Sequence, residues 1–326
     1  MICPDLSDPA GGLALTYAND RCQDGAGAQL QRLLGVYAIS RHLGIPYVHS
    51  PLMRVGYQGL AALEKNAGSD NLTEEYNRIF RLPSDLDLPA DPVVHLLNDA
   101  DVASIDSIKA MQTHGGFHLV RVVYPYPITD QHPEVYRCLK AISPFRYRAS
   151  EVFRLAVHVR RGELFAVDGH RMLPNSYYVS TALRFQEILR RLEIPCVCEL
   201  YTEVATKAFD ITPQHHGINE RISANVAIDP AMSRLEDFDA IPNLVRFINT
   251  DPIDTLRRMA TADALILSRS SFSYIAAVLS QNCIVLYYPF WHAPMEDWVI
   301  TGEDGFREDA VVDRLMGWKA GRGIHR

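Results

Sequence analysis

The sequence predicts an α/β protein of two domains, each with a parallel sheet, that face each other across a cleft. Three observations support this prediction. The chain has 326 residues, which suits two domains of roughly 150 residues each. Its second half alternates short apolar strands with helices, the pattern of a parallel sheet covered on both faces. A strand–turn–helix–strand unit near the start indicates the same architecture.

The N-terminal unit begins with a strand predicted at Leu13–Tyr17. A turn of small residues at Asp24–Gln29 follows, and residues 30–38 have the apolar spacing of a helix. Gly44 is a typical helix terminator, and residues 45–48 read as the start of the next strand. These elements form a compact α/β unit within the first 50 residues.

The middle of the chain carries weaker signals. Residues 50–115 are polar and irregular, and the next strand is predicted at His118–Val123. Four prolines between residues 125 and 144 are typical of a connection between domains. The sequence therefore predicts an N-terminal α/β domain at residues 1–145 and a C-terminal one at residues 146–326.

The C-terminal half has the clearest alternation. Its strands are predicted at residues 155–159, 196–202, 244–248, 264–268 and 283–288. Its helices are predicted at residues 176–192, 254–261 and 274–280. Parallel sheets place their ligands at the carboxyl ends of the strands, so the residues that follow each strand are the site candidates.

Composition excludes some classes of protein. A net charge of −7 argues against a nucleic-acid-binding protein. No apolar run approaches the ~20 residues of a membrane span, and the first residues lack the basic and apolar regions of a signal peptide. We therefore expect a cytoplasmic protein without a membrane span. The six cysteines have no C-x-x-C spacing, so reduced thiols are expected.

Two segments that follow strands carry groups suited to phosphate. His158–Glu163 contains two adjacent arginines, and a guanidinium group offers paired donors that match phosphate oxygens. A solvated loop with a chance arginine pair would explain this segment equally well. Ser268–Tyr274 lies between a strand and a helix, where hydroxyl groups and backbone N–H groups form an anion site. One capping serine accounts for little of this run, so phosphate binding is favoured.

A third segment lies on the other domain. The turn Gly25–Gly27 has small residues that let the backbone approach a ligand closely, although it lacks the spacing of known phosphate-binding glycine motifs. Asp85–Asp87 and Glu236–Asp239 resemble the D-x-D pattern of some metal sites, but such clusters are usually solvated turns. The three segments thus indicate a cleft that neutralises a pyrophosphate with arginine and helix-terminus donors, without a metal.

Together these segments resemble motifs of the fucosyltransferase superfamily, which joins α1,2-, α1,6- and protein O-fucosyltransferases. His158–Glu163 is similar to its H-x-R-R-x-D motif, with Glu163 in place of Asp. Ala264–Ala277 is similar to its strand, S-S-F-S-like turn and helix. Gly25–Gln29 loosely resembles its G-x-G-N-Q-like turn, with Ala28 where Asn is common. The resemblance covers about half of the chain, in pieces.

The resemblance implies a GT-B-like fold of two Rossmann-type α/β domains. Residues 1–145 would lie on the acceptor side, and residues 146–326 would bind the nucleotide sugar. The implied activity is inverting transfer of fucose from GDP-fucose to a hydroxyl of a glycan or glycoconjugate, without a metal or other cofactor. Two alternatives stay open: a GT-B transferase with another nucleotide sugar, and a non-catalytic nucleotide-sugar or glycan-binding protein.

The resemblance also implies roles for individual residues. Arg160 would bind the β-phosphate of GDP. Asp254 would hydrogen-bond the guanine, and His158 would line the nucleoside pocket. The catalytic base would be Glu163 or Asp168, because members of the family differ here. The other residues expected to bind the donor are Arg161, Ser270, Ser271, Phe272, Ser273, Gly25, Gly27 and Gln29.

Overall fold

The computed structural model describes residues 11–21, 24–65, 70–98, 105–110, 116–215 and 222–320. Its strands are β1 (Gly11–Tyr17), β2 (Val93–Leu97), β3 (Gly116–Val122), β4 (Phe153–Val159), β5 (Cys196–Thr202), β6 (Phe209–Ile211), β7 (Val226–Ile228), β8 (Leu244–Ile248), β9 (Ala264–Ile266), β10 (Ile284–Tyr287), β11 (Val299–Gly302) and β12 (Gly305–Phe306). Its helices are α1 (Ala26–Leu43), α2 (Leu60–Glu64), α3 (Asp70–Ile79), α4 (Ile105–Ala110), α5 (Tyr126–Thr129), α6 (Leu139–Ile142), α7 (Leu164–Val167), α8 (Asn175–Arg191), α9 (Pro252–Ala260), α10 (Ser271–Leu279) and α11 (Glu308–Ala320).

The first sheet contains β1, β3 and β2 in that order, and these strands are parallel. The strand predicted at residues 45–48 is reduced to a single bridge between Tyr47 and Leu15, because Pro46 has no N–H group to continue the ladder. β2 lies in the region expected to be irregular. That expectation was wrong for this strand, because its sequence, Val-Val-His-Leu-Leu, is a short apolar run that is compatible with a strand. Val93 and Val94 are about half exposed at the edge of the sheet.

The second sheet has the strand order β12-β11-β10-β9-β4-β5-β8, and every adjacent pair except β11–β12 is parallel. β4, the first of these strands in the chain, lies inside the sheet. β5 and β8 extend the sheet on one side, and β9, β10 and β11 extend it on the other. The order therefore reverses direction between β4 and β9. In open α/β sheets, ligands bind in the crevice at the carboxyl ends of the strands beside such a reversal.

The strands and helices predicted for this half are present, with ends shifted by up to three residues. The elements not predicted are β6, β7, β11, β12, α7 and α11. β5 and β8 have the predicted bounds. α9 starts at Pro252 rather than residue 254, because Asp251 caps it by accepting a hydrogen bond from the backbone N–H of Asp254. α10 starts at Ser271 rather than residue 274, with Ser270 as its N-cap. These two shifts change which residues stand at the start of each helix.

One hydrophobic cluster runs from β1 and α1 of the first half to α9 and α10 of the second. α1 approaches α10 so closely that a β-carbon at Gly27 would lie 2.4 Å from the backbone nitrogen of Phe272. The predicted interdomain connection is largely helical. Tyr136 within it is buried, and its ring centre lies 6.1 Å from that of Tyr274 in α10. The predicted boundary at residue 145 lies between α6 and β4.

Four of the six cysteines lie among the described residues. Cys138, Cys196, Cys198 and Cys283 are free thiols, and burial raises the pKa of each. Cys3 and Cys22 lie outside the described residues. Among the helices described, none combines the length and the apolar character that crossing a bilayer would need.

Replacing Gly27 with alanine should destabilise the protein by about 1–3 kcal/mol, because the new β-carbon would meet the backbone of Phe272 and push α1 away from α10. Urea unfolding followed by circular dichroism measures this change. Gly317→Ala is the matched control, since Gly317 is exposed in α11 and an added β-carbon there meets no described atom within 4 Å. That variant should be neutral or up to about 1 kcal/mol more stable. Equal stability of the two variants would contradict the packing described.

Candidate functional site

A cavity of about 590 Å³ lies at the carboxyl edge of the second sheet and extends to the first half of the protein. Each of the strands β4, β5, β8, β9 and β10 is followed by residues that line it. The first half contributes the start of α1 and the segment 57–61. The cavity therefore lies where the strand order predicts a ligand site.

Arg160, directly after β4, is held by groups of opposite charge. Its guanidinium forms ion pairs with Glu163 and, at 3.0 Å, with Oε2 of Glu203. The guanidinium carbon also lies 4.9 Å from the centre of the Tyr57 ring. Burial disfavours the charge on Arg160, but Glu163, Tyr57 and Glu203 outweigh this effect and raise its pKa. Arg160 is thus a fixed cation in the cavity wall.

Arg161 lines the same cavity but has different partners. Within the described residues, its hydrogen bonds go to neutral oxygens: the carbonyls of Arg160 (2.8 Å) and Leu173 (3.0 Å) and the side chain of Asn175. Burial lowers the pKa of Arg161. These bonds tie the loop after β4 to the start of α8, so this arginine has a structural role besides its charge.

His158, the last but one residue of β4, is a neutral imidazole that borders the cavity. Its Nδ1 lies 2.8 Å from Oγ of Ser268. Burial, together with the nearby charges of Arg160 and Arg161, lowers its pKa to about 3. Its ring centre lies 5.8 Å from that of Phe272, so the ends of β4 and β9 meet here.

Both candidate bases, Glu163 and Asp168, line the cavity on either side of the short helix α7. Oε1 of Glu163 pairs with Arg160, whereas its Oε2 is buried and has no hydrogen-bond partner among the described residues. Burial raises the pKa of Glu163, although Arg160 acts in the opposite direction. A carboxylate with a raised pKa and an unpaired oxygen is suited to accept a proton.

Two helices begin at the cavity. α10 is capped by Ser270, whose Oγ accepts a hydrogen bond of 3.3 Å from the N–H of Phe272, and both Ser270 and Ser271 line the cavity. α1 starts opposite, after Gly25, and has no side-chain cap; Gly27 lies in its first turn. Neither helix has an acidic residue in its first turn. Their positive ends therefore favour an anion between them.

Three residues expected to bind the donor do not line the cavity. Asp254 pairs with Arg257 and, at 2.9 Å, with Arg258, which lower its pKa. Because α9 starts two residues early, its cap Asp251 lines the cavity instead. Ser273 turns inward and donates to the carbonyls of Ser268 and Ser270. The Nε2 group of Gln29 donates to backbone carbonyls, including that of Asp24 at 2.8 Å.

Two residues of the cavity wall, Glu203 and Tyr57, were missed from the sequence. Glu203 follows β5 just as Arg160 follows β4, so the same strand-end signal could have found it. Tyr57 lies in a segment without any periodic pattern and gave no signal. Trp291, which is about half exposed, follows β10 and lies 4.7 Å from the guanidinium of Arg171. These aromatic rings could contact a sugar.

The D-x-D segments have ordinary structural partners. Asp85 pairs with Arg41 and accepts a hydrogen bond of 2.6 Å from the N–H of Tyr47. Asp239 pairs with Arg246. Within the part of the chain that the structure describes, no group of three or more His, Cys, Asp or Glu side chains is arranged to hold a metal ion.

The low pKa of His158 should make the protein less stable in acid. The unfolded chain protonates this residue near pH 6.5 and the folded protein only near pH 3, so the stabilisation is complete above pH 6.5 and is lost as the pH falls. The loss from pH 7 to pH 5 should be about 2 kcal/mol. His158→Asn keeps a hydrogen-bonding group for Ser268 but cannot titrate. Between pH 7 and pH 5, the unfolding free energy of this variant should therefore fall by about 2 kcal/mol less than that of the unaltered protein. An unchanged pH dependence in urea unfolding would refute this assignment.

No protein-family model and no curated protein matches the chain. Similar solved structures include the crystal structure of POFUT1 in complex with GDP, at 10% identity and a TM-score of 0.38, covering 85% of this chain and 98% of that one. The E. coli ADP-heptose LPS heptosyltransferase II has 11% identity and a TM-score of 0.37, covering 95% and 99%. The E. coli heptosyltransferase WaaC with ADP has 10% identity and a TM-score of 0.37, covering 95% and 98%.

Proposed function

We propose that this protein is a glycosyltransferase that binds a nucleoside-diphosphate sugar in the cavity and transfers the sugar to a hydroxyl group. One observation carries the proposal: Arg160 and the N-terminal ends of α1 and α10 meet in a cavity beside the reversal of the second sheet. A guanidinium fork and two helix N-termini suit the charge of a pyrophosphate. The volume of about 590 Å³ suits a ligand of this size.

The donor is proposed to be GDP-fucose, because the motifs at His158–Glu163 and Ser268–Tyr274 resemble those of fucosyltransferases. The second half would bind GDP and the first half would face the acceptor. The guanine-binding role expected of Asp254 passes to Asp251, which lines the cavity. There are two alternatives: transfer from another nucleotide sugar, and binding of a nucleotide sugar without transfer. The experiments below distinguish both from transfer of fucose from GDP-fucose.

The reaction is proposed to be an inverting displacement. The acceptor oxygen attacks the anomeric carbon, the bond from that carbon to the β-phosphate oxygen breaks, and GDP leaves with the electron pair. Negative charge grows on the leaving phosphate, where Arg160 and the N–H groups at the start of α10 would stabilise it. The proposed mechanism uses these fixed N–H donors and no metal ion.

Glu163 and Asp168 remain the two candidates for the base that takes the acceptor proton. Both line the cavity. Glu163 has the unpaired buried oxygen and the raised pKa described above, which favour proton uptake. Its pairing with Arg160 would place Glu163 on the side of the leaving phosphate, whereas the base of an inverting displacement acts on the opposite face of the anomeric carbon, so this contact favours Asp168.

Arg160→Ala should reduce kcat for sugar transfer by about 10²–10³-fold, because the guanidinium stabilises charge that develops in the transition state. Arg160→Lys keeps a positive charge between Glu163 and Glu203 but not the planar fork, so it should remain folded and restore little activity. Arg190→Ala on α8 is the control, since Arg190 is largely exposed and pairs with Glu187 on the surface. Near-native transfer by folded Arg160→Ala would refute the phosphate assignment.

Calorimetry in a buffer that contains EDTA should detect GDP binding and should show a preference for GDP over UDP. The carboxylate of Asp251 can accept hydrogen bonds from the N–H groups of guanine, whereas uracil offers only one such group. Asp251→Asn should reduce this preference, and Asp239→Asn, which changes a surface carboxylate, should not. A preference for UDP, or binding that requires added magnesium or manganese, would contradict the proposal.

A further inference from the structure

The partly buried carboxylate of Glu203 lies among groups that fit closely around it. Its Oε2 accepts hydrogen bonds from the hydroxyl of Tyr57 at 2.7 Å and from Arg160 at 3.0 Å. A β-carbon at Gly59 would lie 2.8 Å from Oε1, and one at Gly162 would lie 2.7 Å from Oε2. Both glycines also have positive φ, at 99° and 59°, which L side chains rarely adopt. Because neither Gly59 nor Gly162 has a β-carbon, the backbone at these two positions leaves room for the carboxylate of Glu203.

These contacts hold the Arg160 guanidinium from three directions. Glu163 pairs with it from the same loop, Glu203 from the neighbouring strand, and the Tyr57 ring packs against it at 4.9 Å. A free arginine side chain samples many rotamers, and that freedom is lost before any ligand arrives. A hydrogen-bond donor that is already held in place stabilises a transition state without first having to reorient.

Glu203 does not increase the affinity for the nucleotide sugar. Its negative charge lies beside a proposed phosphate site and competes for one terminal nitrogen of Arg160. A carboxylate in this place weakens the binding of an anion in the ground state. Its contacts with Arg160 point instead to a contribution through the orientation of that side chain.

We propose that Glu203, with Tyr57, is a positioning residue that holds Arg160 where negative charge grows on the leaving phosphate. This inference rests on the proposed function. Tyr57 belongs to the first half of the chain, whereas Arg160 and Glu203 belong to the second. The same contacts therefore join the segment 57–59 to the wall of the cavity, and they couple the position of Arg160 to the packing of the two halves.

Glu203→Gln removes the charge and keeps the shape and a hydrogen-bond acceptor for Tyr57. The variant should bind GDP more tightly, by about fourfold, the effect of one charge roughly 5 Å away in water. Its kcat for transfer should fall by about 10²-fold, because Arg160 is no longer held in place. Tighter binding with slower turnover is the signature of a group that opposes the ground state and supports the transition state.

Two further variants separate positioning from general packing. Tyr57→Phe keeps the ring against Arg160 and removes only the hydroxyl, so kcat should fall less than in Glu203→Gln, and the double variant should be no slower than Glu203→Gln alone. Glu64→Gln is the matched control: Glu64 also joins the two halves, by accepting hydrogen bonds from the N–H and hydroxyl of Thr206, but does not line the cavity. It should leave GDP affinity and kcat unchanged.

The outcomes are decisive in both directions. Glu203→Gln with unchanged kcat, or with kcat, GDP affinity and Tm all lowered together, would overturn the positioning role. Loss of the acidic limb of the kcat–pH profile in this variant would make Glu203 a base and would also overturn it. Failure of the unaltered protein to transfer sugar from any nucleotide sugar would refute the proposed function instead. The affinity comparison would then still test Glu203, because equal or weaker GDP binding by the variant contradicts the inference.

Discussion

The close approach of α1 to α10 at Gly27 and Phe272 is the contact on which the site depends. Both helices begin at the cavity, so this contact brings two positive helix ends to one place. Neither helix has an acidic residue in its first turn, and Asp24, which precedes α1 and accepts a hydrogen bond of 2.8 Å from the N–H of Gly25, is itself paired with Arg32. A side chain at Gly27 would separate the helices and, with them, the two walls of the cavity. Gly27 is needed for the packing of α1 against α10, in addition to letting the backbone of the turn approach a ligand.

Burial explains the unusual charge states around this contact. A buried guanidinium is costly unless carboxylates compensate it, and Arg160 has Glu163 and Glu203 beside it. His158 has no such compensation: it is buried close to two arginines, so its neutral form is favoured. The same wall of the cavity therefore combines a permanent cation with a neutral imidazole. Such a surface can bind an anion without a second positive charge at His158.

Much of the site followed from the sequence because a parallel sheet brings the carboxyl ends of its strands to one edge. His158–Glu163 and Ser268–Tyr274 each follow a strand, and the structure brings them together beside the reversal between β4 and β9. The glycine turn at Gly25–Gly27 reaches the same cavity. The direction of individual side chains was harder to predict. Asp254 points to its own helix because α9 starts at Pro252, and a shift of two residues turns a helical side chain by about 200°.

The sequence by itself determined the α/β class, most strands of the second sheet and the two segments after β4 and β9 that line the cavity, because these depend on local periodicity and on residues next to each strand. Only the tertiary structure decided which groups meet Arg160. Tyr57 and Glu203 are 146 residues apart in the chain, and their hydrogen bond depends on the left-handed backbone at two glycines and on the packing of the two halves. Local patterns do not encode such a contact, because its geometry is set by how separate elements pack and not by the propensity of either segment.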